Sequence, residues 1–499
     1  MAREEYDIGI IGFGAVGLSF LFQLEEQFAQ QTKRPAMTVA IFDPSPNLGV
    51  GYAYGVKNTA LLLNTYLDGM GLSARDPLGF KTWLSHQAQY QDSVEEFLPR
   101  SVFAEYLQKN LQTLLQSSAL NITVIQEEVT CCDPMLPSNS VQITTQSSCY
   151  LAKSAVFAHG GSFKPDSFQY LNTRHFVMDV YAKHFDARIN TLDDHAKLLL
   201  LGANLTMVDA CILLGQMHHT FSLTIASQSG YFPARKHTHI DPSFKRIADE
   251  TFKEAITEGC TISADRLIAL IDHALSKYYQ RNISIASLST KYRNTVEHAS
   301  SSNLLDHQDS LDLSVVSIYL DDLINALWGQ LDSQEKEKIN PILNYLLRFI
   351  CGIPEKNIAQ LAKLSHSFFN VKKVHQITPL DEGFLVSFAP NVEEPVYYDA
   401  LINCMGIGGY YHGANCRDLA QNIISKQNFL INHSFGLTVN PQAQVVSATS
   451  GQIFANLYAI GEASIGSYFT RSSFSFYVSQ AASAAESLLA YLTEKKGEA

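Results

Sequence analysis

The sequence predicts an α/β protein in which two units of parallel strands and helices are accompanied by a helical insertion. The first observation is a glycine-rich turn at residues 12–17, between an apolar strand and an amphipathic helix. The second is a run of four leucines at residues 198–201, followed by another turn and an apolar helix. The third is the helical spacing of apolar residues between about 251 and 364.

Length and composition exclude several classes of protein. At roughly 150 residues per domain, 499 residues correspond to two or three domains, or to one large α/β core with insertions. Hydrophobic residues form 46% of the chain and charged residues 17%, so the chain can bury a large core and is neither disordered nor fibrous. A net charge of -12 without a basic patch argues against nucleic acid and anionic lipid as partners.

Three further features concern location. The chain begins with Met1 and enters an apolar strand within a few residues, without the pattern of a secretory signal. No apolar run approaches the ~18 residues that a membrane-spanning helix needs. The eight cysteines lack the CxxC spacing of a zinc site or a redox dithiol, which indicates reduced thiols. We therefore predict a cytoplasmic protein that does not insert into a membrane.

The first glycine-rich turn has the spacing of a dinucleotide-binding motif. Gly12 permits a tight turn, Gly14 lets the backbone approach a pyrophosphate, and Gly17 allows close packing of helix on strand. The amides at the helix N-terminus favour a diphosphate. The next strand ends at Asp43, whose carboxylate could accept hydrogen bonds from ribose hydroxyls. These residues predict a dinucleotide site, and the alternative is a purely structural turn.

The second turn, at Gly202, follows the leucine strand and predicts another nucleotide unit. Its motif is degenerate, because Asn204 stands where the middle glycine belongs and Met207 where the third belongs. A close approach to a pyrophosphate is therefore predicted less directly here than at Gly14.

The strand after the second turn indicates which nicotinamide cofactor is used. It ends at residues 227–229, Ser-Gln-Ser, without a carboxylate for a ribose 2′-hydroxyl. Arg235 and Lys236 follow soon after and could pair with a 2′-phosphate. This pattern favours NADPH over NADH.

Short stretches outside the two turns match motifs of one known family. The matching stretches are Gly49–Tyr54, Leu62–Asn64, Phe97–Arg100 with Tyr106 and Leu107, Val156–Gly161, Leu401–Gly406, and Gly202 with Leu205, Thr206 and Asp209. On these residues the sequence resembles the two-domain FAD- and NAD(P)-binding flavoproteins, the group that includes flavin-dependent N-hydroxylating monooxygenases. The resemblance covers most of the chain and is weakest from about 240 to 320.

The resemblance implies two Rossmann-like dinucleotide-binding domains, with an FAD domain of the three-layer β/β/α type. The expected division is an FAD-binding domain in two parts, residues 1–185 and 376–499, and an NAD(P)-binding domain at 190–375 with its helical insertion at about 245–370. Residues 284–314 are rich in Ser, Asn, His and Asp and are predicted to form a long loop.

The resemblance also implies a reaction. NADPH would reduce FAD by hydride transfer, and O2 would react with the reduced flavin and pass one oxygen atom to a nucleophilic nitrogen. The substrate would be a small amino acid or a related amine. The lack of a dithiol motif argues against a disulfide reductase.

Particular residues follow from the same resemblance. Glu462 would accept a hydrogen bond from the ribityl chain, where the family commonly has Asp, and the helix after Ser473 would direct its amides at the flavin pyrimidine. Asn64 is the candidate nearest the flavin ring. The residues expected to bind the cofactors are Gly12, Gly14, Ala15, Gly17, Asp43, Gly51, Tyr52, Asn64, Gly160, Gly202, Asn204, Thr206, Arg235, Lys236, Gly461, Glu462 and Ser473.

Asn64, His237 and Arg471 are the candidate catalytic residues. His237, His239 and Asp241 alternate as metal ligands on one strand face would, but we favour a loop at the edge of the NADPH or substrate site, with solvent-exposed polar residues as the alternative. We predict no metal site. Arg471 could pair with a substrate carboxylate or could be an exposed loop residue. Aromatic residues such as Tyr410 and Tyr411 could line a cavity or belong to the core.

Two other functions remain open. The chain could be an NAD(P)H oxidoreductase that passes electrons to a quinone or a protein acceptor. Alternatively, Asn204 and Met207 could mark a lost nicotinamide site in a flavin-binding interaction protein. A homo-oligomer is compatible with each of these functions.

Overall fold

The computed structural model describes residues 4–32, 35–90, 97–135, 139–227, 232–236, 241–258, 261–296, 312–364, 371–390, 392–413, 417–469 and 473–497. The chain divides into two compact units. The first unit contains Met1–Thr59, Thr65–Pro165 and Ile407–Ala499, and the second contains Ala60–Asn64 and Asp166–Gly406.

The strands of the described residues are β1 (Glu5–Ile11), β2 (Thr38–Phe42), β3 (Asn121–Ile125), β4 (Val129–Met135), β5 (Ser140–Thr145), β6 (Cys149–Phe157), β7 (Ser162–Phe163), β8 (Phe176–Val177), β9 (Lys197–Leu201), β10 (Ser222–Ala226), β11 (Arg235–Lys236), β12 (Ile353–Pro354), β13 (Val371–Pro379), β14 (Phe384–Ala389), β15 (Val396–Tyr398), β16 (Ala400–Asn403), β17 (Ile407–Gly408), β18 (Gln444–Val446) and β19 (Ile453–Ala459).

The α-helices are α1 (Ala15–Ala29), α2 (Gly51–Tyr54), α3 (Gly79–Ser85), α4 (Arg100–Ser117), α5 (Phe185–Ile189), α6 (Leu205–Leu214), α7 (Ser243–Glu258), α8 (Ala264–Tyr279), α9 (Ile285–Val296), α10 (Ser317–Trp328), α11 (Ser333–Ile350), α12 (Glu355–Leu364), α13 (Asp418–Lys426) and α14 (Phe474–Gly497). Short 3₁₀ helices lie at Leu67–Gly69, Ala88–Tyr90, Pro165–Tyr170 and Gly461–Ser464. None of the described helices is long and apolar enough to cross a membrane.

The first unit is built on an eight-stranded sheet with the order β18-β19-β6-β1-β2-β3, extended by β5 and β4. Strands β19, β6, β1, β2 and β3 are parallel. One edge of β6 is shared, because its first half pairs with β5 and its second half pairs with β19. Strands β1 and β2 are buried along nearly their whole length, and β6 is buried over its second half, as parallel strands covered on both faces require.

Helix α1 packs against the last helix, α14. Ser19 and Gln23, four residues apart on α1, are both buried. Ser19 Oγ donates to the carbonyl of Leu72, and Gln23 Nε2 donates to that of Val478 in α14. Buried polar side chains that satisfy backbone carbonyls fix the position of α1, and therefore the position of its N-terminus.

The second unit is built on a seven-stranded sheet with the order β15-β14-β13-β10-β9-β16-β8. Strands β13, β10, β9, β16 and β8 are parallel, and β14 and β15 continue the sheet as antiparallel strands. The predicted division places residues 1–185 and 376–499 with the first domain, whereas the compact units divide at 165/166 and 406/407. Residues 166–185 differ because β8 pairs with β16 in the second sheet. The second difference arises because β16, Ala-Leu-Ile-Asn, is buried throughout, and such a strand fits the interior of either sheet.

The predicted helical insertion contains helices α7 to α12. Asp332 caps α11, because its Oδ1 accepts a hydrogen bond from the amide of Glu335 at 2.9 Å. The predicted loop at 284–314 is wrong for residues 285–296, which form α9. Ile285, Ser289 and Tyr292 bury one face of α9, so packing decides the structure of a polar segment. Residues 297–311 lie outside the described part of the chain.

Candidate functional site

Five parallel strands of the first unit end together at one edge of the sheet. In register, Ile11 lies beside Phe42 and Phe157, Phe42 beside Ile125, and Phe157 beside Ala459. The residues that follow these strands therefore meet at this edge. They include the Gly12 turn, Asp43, His159 and Gly461. Ligands of open α/β sheets bind at the carboxyl ends of the strands, so this edge is the candidate site of the first unit.

The Gly12 turn is closed by backbone packing. The amide of Gly12 donates to the carbonyl of Phe42 at 2.8 Å. The φ angle of Gly12 is +85°, and a Cβ atom there would lie 2.6 Å from the amide nitrogen of His159 and closer still to its Cα. A residue with a side chain would collide with the backbone after β6, which explains why glycine occupies this position.

Helix α1 begins with amides that no side chain of its N-cap residue can satisfy. Gly14 is that residue, with extended backbone angles of -82° and -161°. A Cβ on Gly14 would lie 3.2 Å from Cα of Gly51, so two glycine backbones face each other beside the helix N-terminus. The amides of Ala15 and its neighbours, in the first turn of the helix, have no carbonyl acceptor within the helix. This cradle has the shape and polarity that a diphosphate needs.

Gly17 and Asp43 complete the turn. A Cβ on Gly17 would lie 2.9 Å from the carbonyl oxygen of Gly12, so Gly17 allows the close packing of helix on strand that its place in the motif predicts. The carboxylate of Asp43 accepts hydrogen bonds from the amides of Phe13, at 2.6 Å, and Ser45, at 2.8 Å. Asp43 therefore also holds the turn, and its contact with a ribose stays a prediction.

The residues after β19 are held by the last helix. The amide of Gly461 donates to Oε1 of Gln480 at 2.9 Å, and Nε2 of Gln480 donates to Ser464 Oγ at 2.8 Å. Glu462 Oε1 accepts a hydrogen bond from the hydroxyl of Tyr477 at 2.9 Å. Gln480, which sequence reasoning did not assign, thus connects α14 to the strand end through buried hydrogen bonds.

Ser473, Tyr52 and Gly160 occupy different surroundings. Ser473 Oγ accepts a hydrogen bond from the amide of Phe476, so its hydroxyl caps α14. Tyr52 is 42% exposed, with its ring edge-on to Phe163 at 6.3 Å between centroids. Gly160 follows His159 and is exposed. Their contacts with a cofactor stay predictions.

His159 lies against the Gly12 turn, and its role was not predicted from the sequence. Its Nδ1 lies 2.9 Å from the carbonyl oxygen of Gly160 and its Nε2 lies 2.7 Å from the hydroxyl of Tyr411. Since a carbonyl only accepts, the neutral ring donates from Nδ1 and accepts from Tyr411. Burial lowers the pKa of His159 to about 4. A neutral histidine therefore supports the turn at neutral pH. The available signal was its position directly after a parallel strand.

The low pKa of His159 makes the stability of the protein depend on pH. Its pKa falls from an ordinary 6.5 to about 4, so between these values the unfolded state binds a proton that the folded state does not. This contribution is complete above pH 6.5 and is lost as the pH falls towards 4. We expect His159→Gln to reduce the loss of stability over this range, measured by urea unfolding at several pH values. Parallel pH profiles for the two proteins would contradict the assignment.

The second unit repeats the arrangement at the end of β9. Leu201 lies beside Asn403 and Ala226, and the amide of Gly202 donates to the carbonyl of Ala226 at 2.8 Å. Asn204 is the N-cap residue of α6, with extended backbone angles of -96° and -164° close to those of Gly14. Because this conformation is open to any residue, asparagine does not distort the turn.

Among the described residues, the amides in the first turn of α6 also donate no hydrogen bond to the side chain of the N-cap residue. In the described part of the chain, the side chain of Asn204 makes no capping hydrogen bond, and it is exposed. Thr206 follows in the first helical turn and is partly exposed, with its hydroxyl 3.8 Å from where a Cβ of Gly406 would be. The amides at this helix N-terminus therefore have the arrangement of an anion site.

Arg235 and Lys236, expected near a 2′-phosphate, both have partners in the second unit. Arg235 pairs with Glu355 at 3.1 Å. Lys236 is only 6% exposed, and its Nζ donates to the carbonyls of Asn64, at 2.7 Å, and Ile350, at 3.1 Å. Lys236 therefore holds the segment containing Asn64, and the preference for NADPH stays a prediction from the sequence.

Two of the three candidate catalytic residues, His237 and Arg471, lie outside the described residues, as does His239. Asn64 is half-buried in the second unit. Within the described ranges, no group of three or more His, Cys, Asp and Glu side chains could hold a metal ion.

Comparisons with known proteins agree with this geometry. Residues 9–162 match a family model described as FAD-NAD(P)-binding. By sequence, no curated protein matches the chain.

Solved structures match the fold over nearly the whole chain. The ornithine N-hydroxylase of Kutzneria sp. 744, with reduced FAD, NADP+ and L-ornithine, is 14% identical at a TM-score of 0.59, covering 99% of this chain and 100% of that one. The cadaverine monooxygenase of Erwinia amylovora, bound to FAD, is 13% identical at 0.58, covering 99% and 95%. The L-lysine 6-monooxygenase of Pseudomonas syringae is 14% identical at 0.57, covering 97% and 99%.

The chain has the fold of the two-domain FAD/NAD(P)-binding flavoproteins. The predicted α/β fold class, with two Rossmann-like units and a helical insertion, is confirmed. The resemblance drawn from short motifs is confirmed for residues 9–162 by the family model, and for the whole chain at the level of the fold.

Proposed function

We propose that this chain is an FAD-dependent, NADPH-using monooxygenase that hydroxylates the nitrogen of a small amino acid or amine. The observation that carries the proposal is the presence of two separate helix N-termini, α1 and α6, each behind a glycine turn at the carboxyl end of a parallel sheet. Two such sites suit two dinucleotides rather than one. The fold match extends to three N-hydroxylating or amine monooxygenases over nearly their full lengths.

FAD is proposed for the first unit, because its turn keeps all three glycines of the dinucleotide motif, Gly12, Gly14 and Gly17. The space between the backbones of Gly14 and Gly51 lies beside the amides of Ala15 and its neighbours. A Cβ atom on Gly14 would narrow this space. Asp43 stands at the next strand end for a ribose. Bound FAD would supply the redox chemistry, namely hydride acceptance and reaction with O2, while the residues position it.

NADPH is proposed for the second unit. Gly202 forms the turn, and Asn204 keeps the backbone conformation that Gly14 has in the first unit. The departure from the glycine motif at 204 therefore leaves the helix N-terminus usable for an anion. This supports a working nicotinamide site over a lost one.

A primary amine is the proposed substrate group. Ornithine, cadaverine and lysine, named for the three matching enzymes, share a terminal amine on a short aliphatic chain. An unprotonated amine is a nucleophile that can accept an oxygen atom. We further propose that the protein acts in the cytoplasm; a homo-oligomer remains an expectation.

The visible absorption spectrum of the purified protein, before and after anaerobic NADPH, tests both cofactor sites. We expect a flavin spectrum that bleaches. A flavin spectrum that bleaches with neither NADPH nor NADH would contradict the proposal and favour a flavin-binding interaction protein. A colourless protein that does not take up added FAD would overturn the cofactor assignment itself.

A matched pair of glycine variants locates the flavin. In Gly14→Val the side chain would enter the space in front of Gly51, and we expect FAD binding to weaken by about tenfold or more. Gly329→Ala is the control, because no described atom lies within 4 Å of its added Cβ. Equal FAD affinity in the two variants would place the flavin elsewhere.

The reaction is tested with NADPH, O2 and a panel of amines that contains ornithine, lysine and cadaverine. We expect a product heavier by one oxygen atom for at least one amine, detected by mass spectrometry with ¹⁸O2. Steady reduction of a quinone or protein acceptor, without oxygen incorporation into any amine, would select the electron-transfer alternative.

A further inference from the structure

A cysteine, a lysine and an aspartate form a cluster in the first unit, away from both glycine turns in the sequence. Nζ of Lys426 lies 2.9 Å from Sγ of Cys131 and 2.6 Å from Oδ2 of Asp133. Sγ of Cys131 lies 3.1 Å from the same carboxylate oxygen. Three reactive groups therefore meet at van der Waals distance or less.

The cluster is held by the docking of α13 on β4. Asn422 Nδ2 donates to the carbonyl of Thr130 at 2.9 Å, and Arg417 pairs with Glu128 at 3.1 Å. Asn422 and Lys426 are four residues apart and therefore lie on one face of α13. Because these two contacts hold α13 and its N-cap residue against β4 and the residue before it, the amine of Lys426 is kept beside the thiol.

Solvent can reach the cluster. The side chain of Lys426 is 40% exposed and that of Asp133 22% exposed, and Cys131 is partly exposed. The adjacent Cys132 is buried in the core, because neighbouring strand residues point in opposite directions. A small oxidant in water therefore has access to Cys131 and not to Cys132.

The neighbours of the Cys131 thiol act on its pKa in opposite directions. Burial and the Asp133 carboxylate raise this pKa above its ordinary value, while the ammonium of Lys426 lowers it and favours the thiolate. Asp133 accepts a hydrogen bond from the ammonium and raises the pKa of Lys426. The same carboxylate is placed to take a proton when the amine reacts.

We propose that Cys131 and Lys426 are a redox modification site, joined by a sulfur–nitrogen bond when the protein meets hydrogen peroxide. The Cys131 sulfur attacks peroxide, so that an S–O bond forms, the O–O bond breaks, and sulfenic acid and water result. Sulfur loses two electrons and peroxide gains them.

The second step is a condensation without further redox change. Lys426 gives one proton to Asp133, and its nitrogen attacks the oxidised sulfur. The N–S bond forms as the S–O bond breaks, and hydroxide leaves as water with a second proton from nitrogen. In sum, thiol, ammonium and hydrogen peroxide give the sulfenamide, two waters and one proton, which passes from Asp133 to solvent.

The bond would tie α13 to β4 covalently, and thiols would reverse it. The peroxide is supplied from solution, so the inference does not depend on the proposed monooxygenase activity.

The test treats the purified full-length protein with hydrogen peroxide and maps its peptides by mass spectrometry. We expect a peptide containing Cys131 to be joined to one containing Lys426, about 2 Da lighter than their sum, and to separate on reduction. A joined pair with one oxygen atom more than this product would overturn the sulfur–nitrogen assignment, as would oxidised Cys131 without any joined peptide.

Lys426→Arg is the matched variant. It keeps the positive charge beside Asp133 but cannot supply an unprotonated amine, so sulfenic acid at Cys131 should persist. We expect labelling of Cys131 by dimedone to rise roughly tenfold over the wild type, with no joined peptide. Cys149, partly exposed in the same unit, serves as the internal control and should be labelled equally in both proteins. Equal labelling of Cys131 in the two proteins would overturn the proposal.

Discussion

Replacing Gly12 by alanine is expected to destabilise the protein by about 3 kcal/mol or more, because strain and a backbone clash add. The new Cβ would lie 2.6 Å from the amide nitrogen of His159, and φ of +85° disfavours any residue with a side chain. Backbone atoms cannot move aside as a flexible side chain can. The measurement is the free energy of unfolding from urea titration of flavin-free protein.

Gly160→Ala is the control for Gly12→Ala. Gly160 directly follows His159 in the chain, and no described atom lies within 4 Å of its added Cβ. We expect a change within about 0.5 kcal/mol. If Gly12→Ala were equally mild, the turn would not be packed on the residue after β6.

Replacing Lys236 by methionine is expected to destabilise the protein by about 2 kcal/mol at neutral pH, because buried carbonyls lose a charged donor. Those carbonyls belong to Asn64 and Ile350. Methionine keeps the length and apolar stem of the side chain, so the change isolates the ammonium. Lys197→Met, with an exposed side chain in the same unit, is the control and should change stability by no more than about 0.5 kcal/mol.

The same pair of proteins tests the protonation of Lys236. Burial lowers its pKa from an ordinary 10.5 to about 8, so between these values the unfolded state binds a proton that the folded state has lost. Stability from this group therefore rises as the pH increases from 8 to 10.5. The advantage of the wild type over Lys236→Met should widen by up to about 3 kcal/mol in that range. A constant difference would mean that Lys236 keeps an ordinary pKa.

The repeated units could be predicted because their signals are local. The Gly12 turn, the strands around it and the Asp332 cap depend on residues within one or two turns of chain. The sequence also shows that Asn204 stands where the motif has glycine, but the effect of this asparagine on the turn could be judged only from its backbone angles in the structure.

The rest depends on contacts between distant segments. In the sequence, Lys236 is a residue type that commonly binds phosphate. Its role as a buried structural cation follows only from its contact with Asn64, more than a hundred residues earlier in the chain. His159 is similarly defined by Tyr411, which lies far along the chain. The membership of β16 in the second sheet has no local signal, because buried apolar strands are alike.

The shared edge of β6 has a consequence for how the protein is made. The second half of β6 pairs with β19. The pairing of Ala155 with Leu457 therefore cannot form until some three hundred further residues have been synthesised. The strands of the second sheet, β8 to β16, all leave the ribosome before β19 does. The second unit can therefore fold during synthesis, while the first retains an open sheet edge until its last segment arrives. Chains that stop before residue 444 should expose this edge and aggregate, since an unpaired strand edge is a template for pairing with other chains.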